Sequence, residues 1–461
     1  MFGASVFFYG YWMPTFTLLL LGSIVFNFSV GLCIVRARQQ PERLTPAVWL
    51  VLGIVVNLGL LAYFKYANFF IDNLGKVLGS SWHLAYITLP IGISFYTFTQ
   101  IAFLVDSWQG KVHEVRPIHY GLFVTYFPHL VAGPILHHAQ MMPQFANPSV
   151  YRFQGGHFVA GLAIFFIGLL KKVVLADGIA PYADAVFLGA DSGLLPTGTE
   201  AWLGACAYAL QLYFDFSGYS DMAIGLSWMF NIRLPYNFNS PYKAHNISDF
   251  WRCWHISLST FLRDYLYVPL GGSRRGALLR YVNLAVTMVL GGLWHGANWS
   301  FVLWGALHGG YLMLNHGFRA MCVRWGWSQR LDASRGFGLL SWALTLLAVL
   351  VAWVFFRAAS VDGALRILRA MTNGMVGAGI HPLLWNAGLQ VSVGAGWCAA
   401  LGLVALALPN SNQIGERVHG WCLRSYDGRV ALGATAMLSA LFLVLVNITR
   451  DATSAFIYFN F

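Results

Sequence analysis

Phe337-Gly-Leu-Leu-Ser-Trp-Ala-Leu-Thr-Leu-Leu-Ala-Val-Leu-Val-Ala-Trp-Val-Phe-Phe356 carries no charged side chain from end to end. A helix needs about 20 apolar residues to cross the hydrocarbon core of a bilayer, and it must satisfy its backbone polar groups internally. This stretch meets both demands. Outward from it, Trp49–Phe64, Leu89–Val105, Phe158–Leu175 and Val430–Val446 read the same way. The chain as a whole is 58% hydrophobic and 10% charged, against roughly 25% charged residues in soluble domains. It has too few charges to cover a water-facing surface. The expectation is an all-α, polytopic membrane protein with about ten to twelve transmembrane or re-entrant helical segments. No linker or internal repeat divides it, so residues 1–461 read as one integral membrane domain.

The opening stretch, Ser5 to Val35, is too long for a cleavable signal peptide and lacks a charged start. It is expected to remain as membrane helix. The net charge of +11 sits in short loops, among them Arg36, Arg38 and Arg43, Lys111 and Arg116, Arg274, Arg275 and Arg280, and Arg319 through Arg335. That is the positive-inside pattern, with anionic lipid headgroups as partners; nucleic acid is not indicated, because no basic patch interleaves with exposed aromatics. One conflict arises. If the Arg319–Arg335 loop is cytoplasmic, a single span over Phe337–Phe356 sends Arg357, Arg366 and Arg369 to the other side. Either that segment is re-entrant or the arginines lie on an interfacial helix.

Two apolar stretches carry residues hostile to lipid. Tyr120–Pro134 contains Pro128, His129, Gly133 and Pro134, and broken backbone at membrane depth survives only where protein or a watery cavity satisfies it. Glu200–Phe230 holds Asp215 and Asp221. Carboxylates there are expected to face inward and be paired, in a structural network or in catalysis.

His295 stands in Trp294-His295-Gly296 at the end of a long apolar stretch. Imidazole titrates near neutrality, so it can take a proton from a hydroxyl and return it; the other reading is a satisfied structural histidine. A second histidine lies 40 residues earlier. Ser248 and Asp249 suit a helix start, and at 100° per residue Trp251, Trp254, Leu258, Phe261, Leu262 and Tyr265 share a face. Arg252, Ser259 and Arg263 line the opposite side, with His255 at the boundary. The expectation is one amphipathic helix at the membrane surface. Its arginines suit the phosphates of a cytosolic donor or lipid headgroups.

Absences narrow the chemistry. The fourteen histidines form no clusters at helical spacing beyond the adjacent His137-His138, and the six cysteines are scattered singly. No metal site is expected. There is no Gly-x-Ser-x-Gly elbow, and no aspartate follows His255 at the spacing of the glycerolipid acyltransferases. A metal-free general base acting on a hydroxyl remains.

The run Phe250-Trp-Arg-Cys-Trp-His255-Ile-Ser-Leu-Ser-Thr260, continuing through Arg263-Asp264-Tyr265, resembles the membrane-bound O-acyltransferase (MBOAT) family. So do Gly291-Gly-Leu-Trp-His295-Gly-Ala-Asn-Trp299, Trp304-Gly305 with His308-Gly309, Leu89–Tyr96, Phe127–Leu130, Tyr213–Met222 and the ending Phe456–Phe461. Within the family the likeness is to its alginate O-acetylation type. The resemblance implies a ring of helices around a tunnel open to both faces, and transfer of an acyl group from a cytosolic thioester, here acetyl-CoA, to a hydroxyl. It makes His295 the essential histidine and His255 the second active-site position. Arg252, Ser259 and Arg263 become candidates for the donor, and Tyr458 in the aromatic tail becomes either a transient acyl carrier or part of an interfacial anchor. It places the protein in a bacterial inner membrane, beside an extracytoplasmic esterase-like acetyltransferase and polysaccharide secretion machinery. Two departures stand out: Cys253 occupies a position where close relatives carry arginine, and the chain begins within what resembles the family's second hydrophobic segment. A transporter or flippase, a non-catalytic secretion platform, and D-alanyl transfer to a cell-wall polymer are the competing readings. The transporter reading predicts inverted repeats, and none is visible.

Overall fold

The computed structural model describes residues 1–39, 45–80, 82, 84–85, 87–112, 115–130, 133–373, 382–422, 433, 436–437, 440–446 and 456–457. Every regular element among them is helical. Among the described residues, five apolar helical runs are long enough to cross a membrane: Pro14–Gln39, Pro46–Leu78, Gly155–Asp191, Ala277–His295 and Arg335–Arg357. A sixth is Val391–Ala407 with Ser411–Trp421, bent by 55° at its break. The protein is a multi-pass membrane protein. The chain divides into two compact units, Met1–Leu162 with Ala223–Pro235, and Ala163–Met222 with Tyr236–Phe461.

In the first unit the opening stretch is two helices, α1 (Phe2–Trp12) and α2 (Pro14–Gln39). Proline has no N–H to donate and crowds the preceding turn, so Met13 leaves the helix at φ −135°. α2 and α3 (Pro46–Leu61) are joined by the buried amides of Asn27 and Asn57, which donate to each other at 3.2 and 2.6 Å. Such bonds tie helices together where water is absent. The Leu89–Val105 stretch becomes α4 (Ile93–Gln109), entered through left-handed Gly92 and buried along most of its length. It is a core helix, burying Thr97, Thr99, Gln100 and Asp106 along with its apolar residues. α5 (Pro117–Thr125) stops where the sequence predicted a break, and His129 Nε2 lies 3.0 Å from the Phe123 carbonyl oxygen.

The second unit includes α6 (Gly155–Leu170) from Ala163 onward, a π-helical turn at Lys171–Ala176 and α7 (Asp177–Asp191). α8 (Gly198–Met229) carries both sequence-flagged carboxylates. Asp215 and Asp221 are 1% and 4% exposed. Lys172 bridges Asp177 at 2.7 Å and Asp215 at 2.8 Å, while Lys171 meets Asp221 at 2.7 Å. Both carboxylates face inward and are paired, as burial demands. α9 (Ile247–Cys253), α10 (Ile256–Leu262), α11 (Ala277–His295) and α12 (Trp299–Arg324) build the candidate site.

The stretch behind the topology conflict is α13 (Arg335–Arg357), one continuous helix of 23 residues, about 34 Å long at 1.5 Å per residue, with no break for a re-entrant turn. Arg357 pairs with Asp184 at 2.6 Å, and Arg366 donates to the Ala190 carbonyl at 2.9 Å. Arg366 and Arg369 lie on the amphipathic α14 (Val361–Asn373), which buries Gly363, Ala364, Ile367, Ala370 and Met371. Of Val430–Val446, the described residues 433, 436–437 and 440–446 are helical.

Candidate active site

The α11–α12 hairpin positions His295. A Cβ at Gly292 would strike the Phe301 carbonyl oxygen, and one at Gly305 would strike that of Met288. With glycine at both places the two backbones touch. α11 ends at His295, Gly296 is extended, and the Asn298 side chain caps α12 by accepting from Ser300 N–H at 3.0 Å. This tight return lays Trp304 edge-on to the His295 ring, 5.1 Å between centroids and 89° between planes. Phe356 stands on it at 5.0 Å and Trp294 at 5.0 Å. His295 is 3% exposed and His255 0%. Neither imidazole faces open solvent in this state.

His255 departs from its expected setting. The predicted continuous helix from Ser248 is two short helices: α9 begins at Ile247, with Asn246 as cap accepting from Asp249 N–H at 3.0 Å, and ends at Cys253. α10 begins at Ile256. Between them His255 is left-handed, at φ 43° and ψ 55°. The loop preceding α9 takes the backbone bonds that would have continued the helix. Asn239 N–H donates to the Cys253 carbonyl at 2.9 Å, and Ile256 N–H donates to the Asn237 carbonyl at 3.0 Å. The reversal resets the 100° phase and carries His255 from the boundary into the interior. Ser248 instead accepts from Asn315 at 2.8 Å.

The two imidazoles come together, 6.4 Å between ring centroids. Asn237 Oδ1 lies 3.1 Å from His255 Nδ1 and accepts from Ser257 N–H at 3.2 Å and Ser257 Oγ–H at 2.9 Å. The Ser257 N–H only donates, so the amide oxygen must face this cluster. An amide oxygen only accepts, so Nδ1 carries the proton and Nε2 keeps the lone pair. Burial pushes the His255 pKa down to about 3. The ring is neutral at physiological pH, with Nε2 as its basic atom.

The other sequence-flagged residues form local contacts. Arg252 pairs with Asp249 at 2.8 Å with 72% of its side chain exposed; Arg263 pairs with Asp264 at 2.7 Å with 61% exposed. Ser259 Oγ donates to the Trp254 carbonyl at 3.3 Å. Tyr458 lies outside the described residues. Sequence reasoning gave no role to Asn237, Phe216, Trp304 or Phe356. Phe216 stands on His255 at 4.7 Å and 86°. Asn237 sits in an extended loop whose pattern carries no period to read. Among the described residues no three His, Cys, Asp or Glu side chains gather as metal ligands would.

The model of the membrane-bound O-acyltransferase family matches residues 47–331, which include both histidines and the loop that holds Asn237. The chain belongs to the MBOAT family. Its similar relatives include the peptidoglycan O-acetyltransferase of Helicobacter pylori, 38% identical over 99% of this chain and 90% of that protein. The "Probable alginate O-acetylase AlgI" of Azotobacter vinelandii is 45% identical over 80% of this chain and 71% of its own length. That of Pseudomonas aeruginosa is 45% identical over 80% and 68%. This MBOAT chain is an acyltransferase of the family's O-acetyltransferase group.

Proposed function

We propose that the protein transfers acetyl from cytosolic acetyl-CoA, across a bacterial inner membrane, for O-acetylation of an extracytoplasmic glycan. The observation that carries the reading is the pairing of His295 with His255, one ring walled by aromatics and the other locked in a single tautomer. His295 is the general base. It takes the proton of an acceptor hydroxyl, whose oxygen attacks the thioester carbonyl; the C–S bond breaks, and the thiolate leaves with the proton that the imidazolium returns. General-base help of this kind is worth roughly 10²–10⁴-fold. His255 positions the pair. With Nδ1–H engaged by Asn237, its Nε2 is a proton acceptor, which favours ordering the site over polarising a carbonyl. Because both rings are closed to solvent, donor and acceptor enter only when aromatic side chains of the wall move.

The coenzyme's phosphates stay outside the hydrocarbon, where an ion costs several kcal/mol. Arg252 and Arg263 are their contacts, with Ser259 beside them. Tyr458 is the first acceptor on the far side, forming an aryl ester that a partner acetyltransferase then discharges onto the polymer. For that polymer two readings are favoured by different observations: an alginate-like exopolysaccharide by the 45% identities, and peptidoglycan by a match that covers 99% of the chain. The test is acetyl content of both polymers in a null strain complemented with wild type, His295→Ala or Tyr458→Phe. Wild-type complementation with loss in His295→Ala is expected. Full acetylation in His295→Ala refutes the base, and full acetylation in Tyr458→Phe refutes the relay.

A further inference from the structure

Beyond the two histidines, the described residues hold a second ordered assembly that involves the carboxy-terminal tail. Phe456 and Ile457 are buried, at 5% and 8% exposure. The Phe456 ring stacks on Tyr219, 4.3 Å between centroids and 19° between planes. It also lies 6.0 Å from Phe216, the same ring that stands 4.7 Å from His255. One aromatic ring thus separates the tail from the imidazole. The tail's backbone is held as well: Ile457 N–H donates to Asp215 Oδ2 at 3.1 Å. The other oxygen of that carboxylate, Oδ1, takes the Lys172 ammonium at 2.8 Å, and Lys172 also holds Asp177 at 2.7 Å.

We propose that Asp215 is a positioning residue: its Lys172-paired carboxylate is the fixed acceptor on which the carboxy-terminal tail hangs, setting that tail beside the His255–His295 pair. Two physical facts support it. A buried backbone N–H must find an acceptor, and a carboxylate makes the bond charge-assisted and stronger than a neutral one. Chain beyond Ile457 advances at most about 3.6 Å per residue, so the anchor limits what that chain reaches. The role in acetyl transfer rests on the reading under Proposed function; the docking does not.

The test uses the full chain in membranes or detergent, treated with carboxypeptidase Y, which also releases proline, and followed by intact mass. Trimming of the wild type is expected to stop with Phe456 and Ile457 in place. Ile457→Pro removes the donated N–H and leaves the ion pairs untouched; Asp215→Asn removes the charge. Each is expected to abolish the stop, with trimming past Phe456 at least tenfold faster. Asp177→Asn leaves the Lys172–Asp215 pair and is expected to keep the stop. Protection unchanged in Ile457→Pro and Asp215→Asn, or lost equally in Asp177→Asn, overturns the docking. In glycan acetylation, Ile457→Pro is expected to lower turnover tenfold or more at unchanged KM for acetyl-CoA. Full turnover with protection lost overturns the positioning role. A wild type inactive with acetyl-CoA refutes the earlier reading alone, since the trimming result still decides docking.

Discussion

Asn237 Oδ1 lies 3.1 Å from His255 Nδ1 although 18 residues separate them in sequence. This one oxygen fixes which nitrogen of the imidazole is basic, and the same atom receives two bonds from Ser257. Asn237→Ala should leave buried donors unmet, each costing about 1–3 kcal/mol. Turnover should fall about 10–100-fold with KM for acetyl-CoA unchanged, read in a steady-state assay. Asn237→Asp tests the charge. A carboxylate there stabilises the imidazolium and raises the His255 pKa from about 3, by about 1–3 units. The neutral ring is then lost as pH falls through the raised value, which NMR of the His255 ring reads directly. An unmoved titration sinks the assignment.

The contact between Gly292 and Gly305 sets where His295 points. Alanine at either position places a methyl against backbone carbonyl oxygen, which no rotamer relieves. Gly292→Ala and Gly305→Ala should each destabilise by about 1–3 kcal/mol and depress activity beyond the stability loss. Thermal unfolding in detergent, run beside the activity assay, separates the two effects. Gly310, where a Cβ meets nothing within 4 Å, is the control.

Phe356 walls His295 at 5.0 Å. Truncating it to alanine leaves room for water beside the proposed base. Excluding water prevents hydrolysis of reactive groups, so Phe356→Ala should raise the ratio of acetyl-CoA hydrolysis to transfer several-fold. An unchanged ratio would show that the wall does not protect the thioester.

Arg252 and Arg263 are exposed and locally paired, so each contributes little individually. Exposed charge interactions are worth a factor of about 2–5 each and are screened by salt. The Arg252→Ala/Arg263→Ala double variant should raise KM for acetyl-CoA about 3–10-fold with turnover intact, and high salt should mimic it in the wild type. If KM holds while binding to anionic vesicles weakens, the arginines serve the membrane instead.

Much of the architecture was legible because bilayer physics writes it into composition. Phe337–Phe356 and Phe158–Leu175 are spans, Tyr120–Pro134 breaks, and the carboxylates of Asp215 and Asp221 turn inward and pair. The errors share one cause, bonds between segments distant in sequence. Leu89–Val105 reads as long enough to span, and the helix there starts only at Ile93 and is buried along most of its length. The α9–α10 break follows from bonds given by Asn239 and Ile256 across to and from a loop. No wheel drawn from residues 248–265 contains that information. Asn237 was invisible for the same reason: a lone amide in an irregular loop has no spacing to betray it, whereas His295 announced itself by its setting among glycines and tryptophans.

The left-handed backbone at His255 has a practical corollary for anyone scanning this position. An L-residue with a Cβ pays about 1–2 kcal/mol to sit there, glycine pays none, and asparagine tolerates it better than most. His255→Ala therefore deletes the imidazole while keeping the torsional burden, and His255→Gly deletes both. The two variants should rank in opposite order for fold stability and for lost side-chain packing, so alanine alone would misattribute backbone effects to ring chemistry. His255→Asn, close to histidine in its torsional preference, is the substitution whose activity speaks for the ring itself.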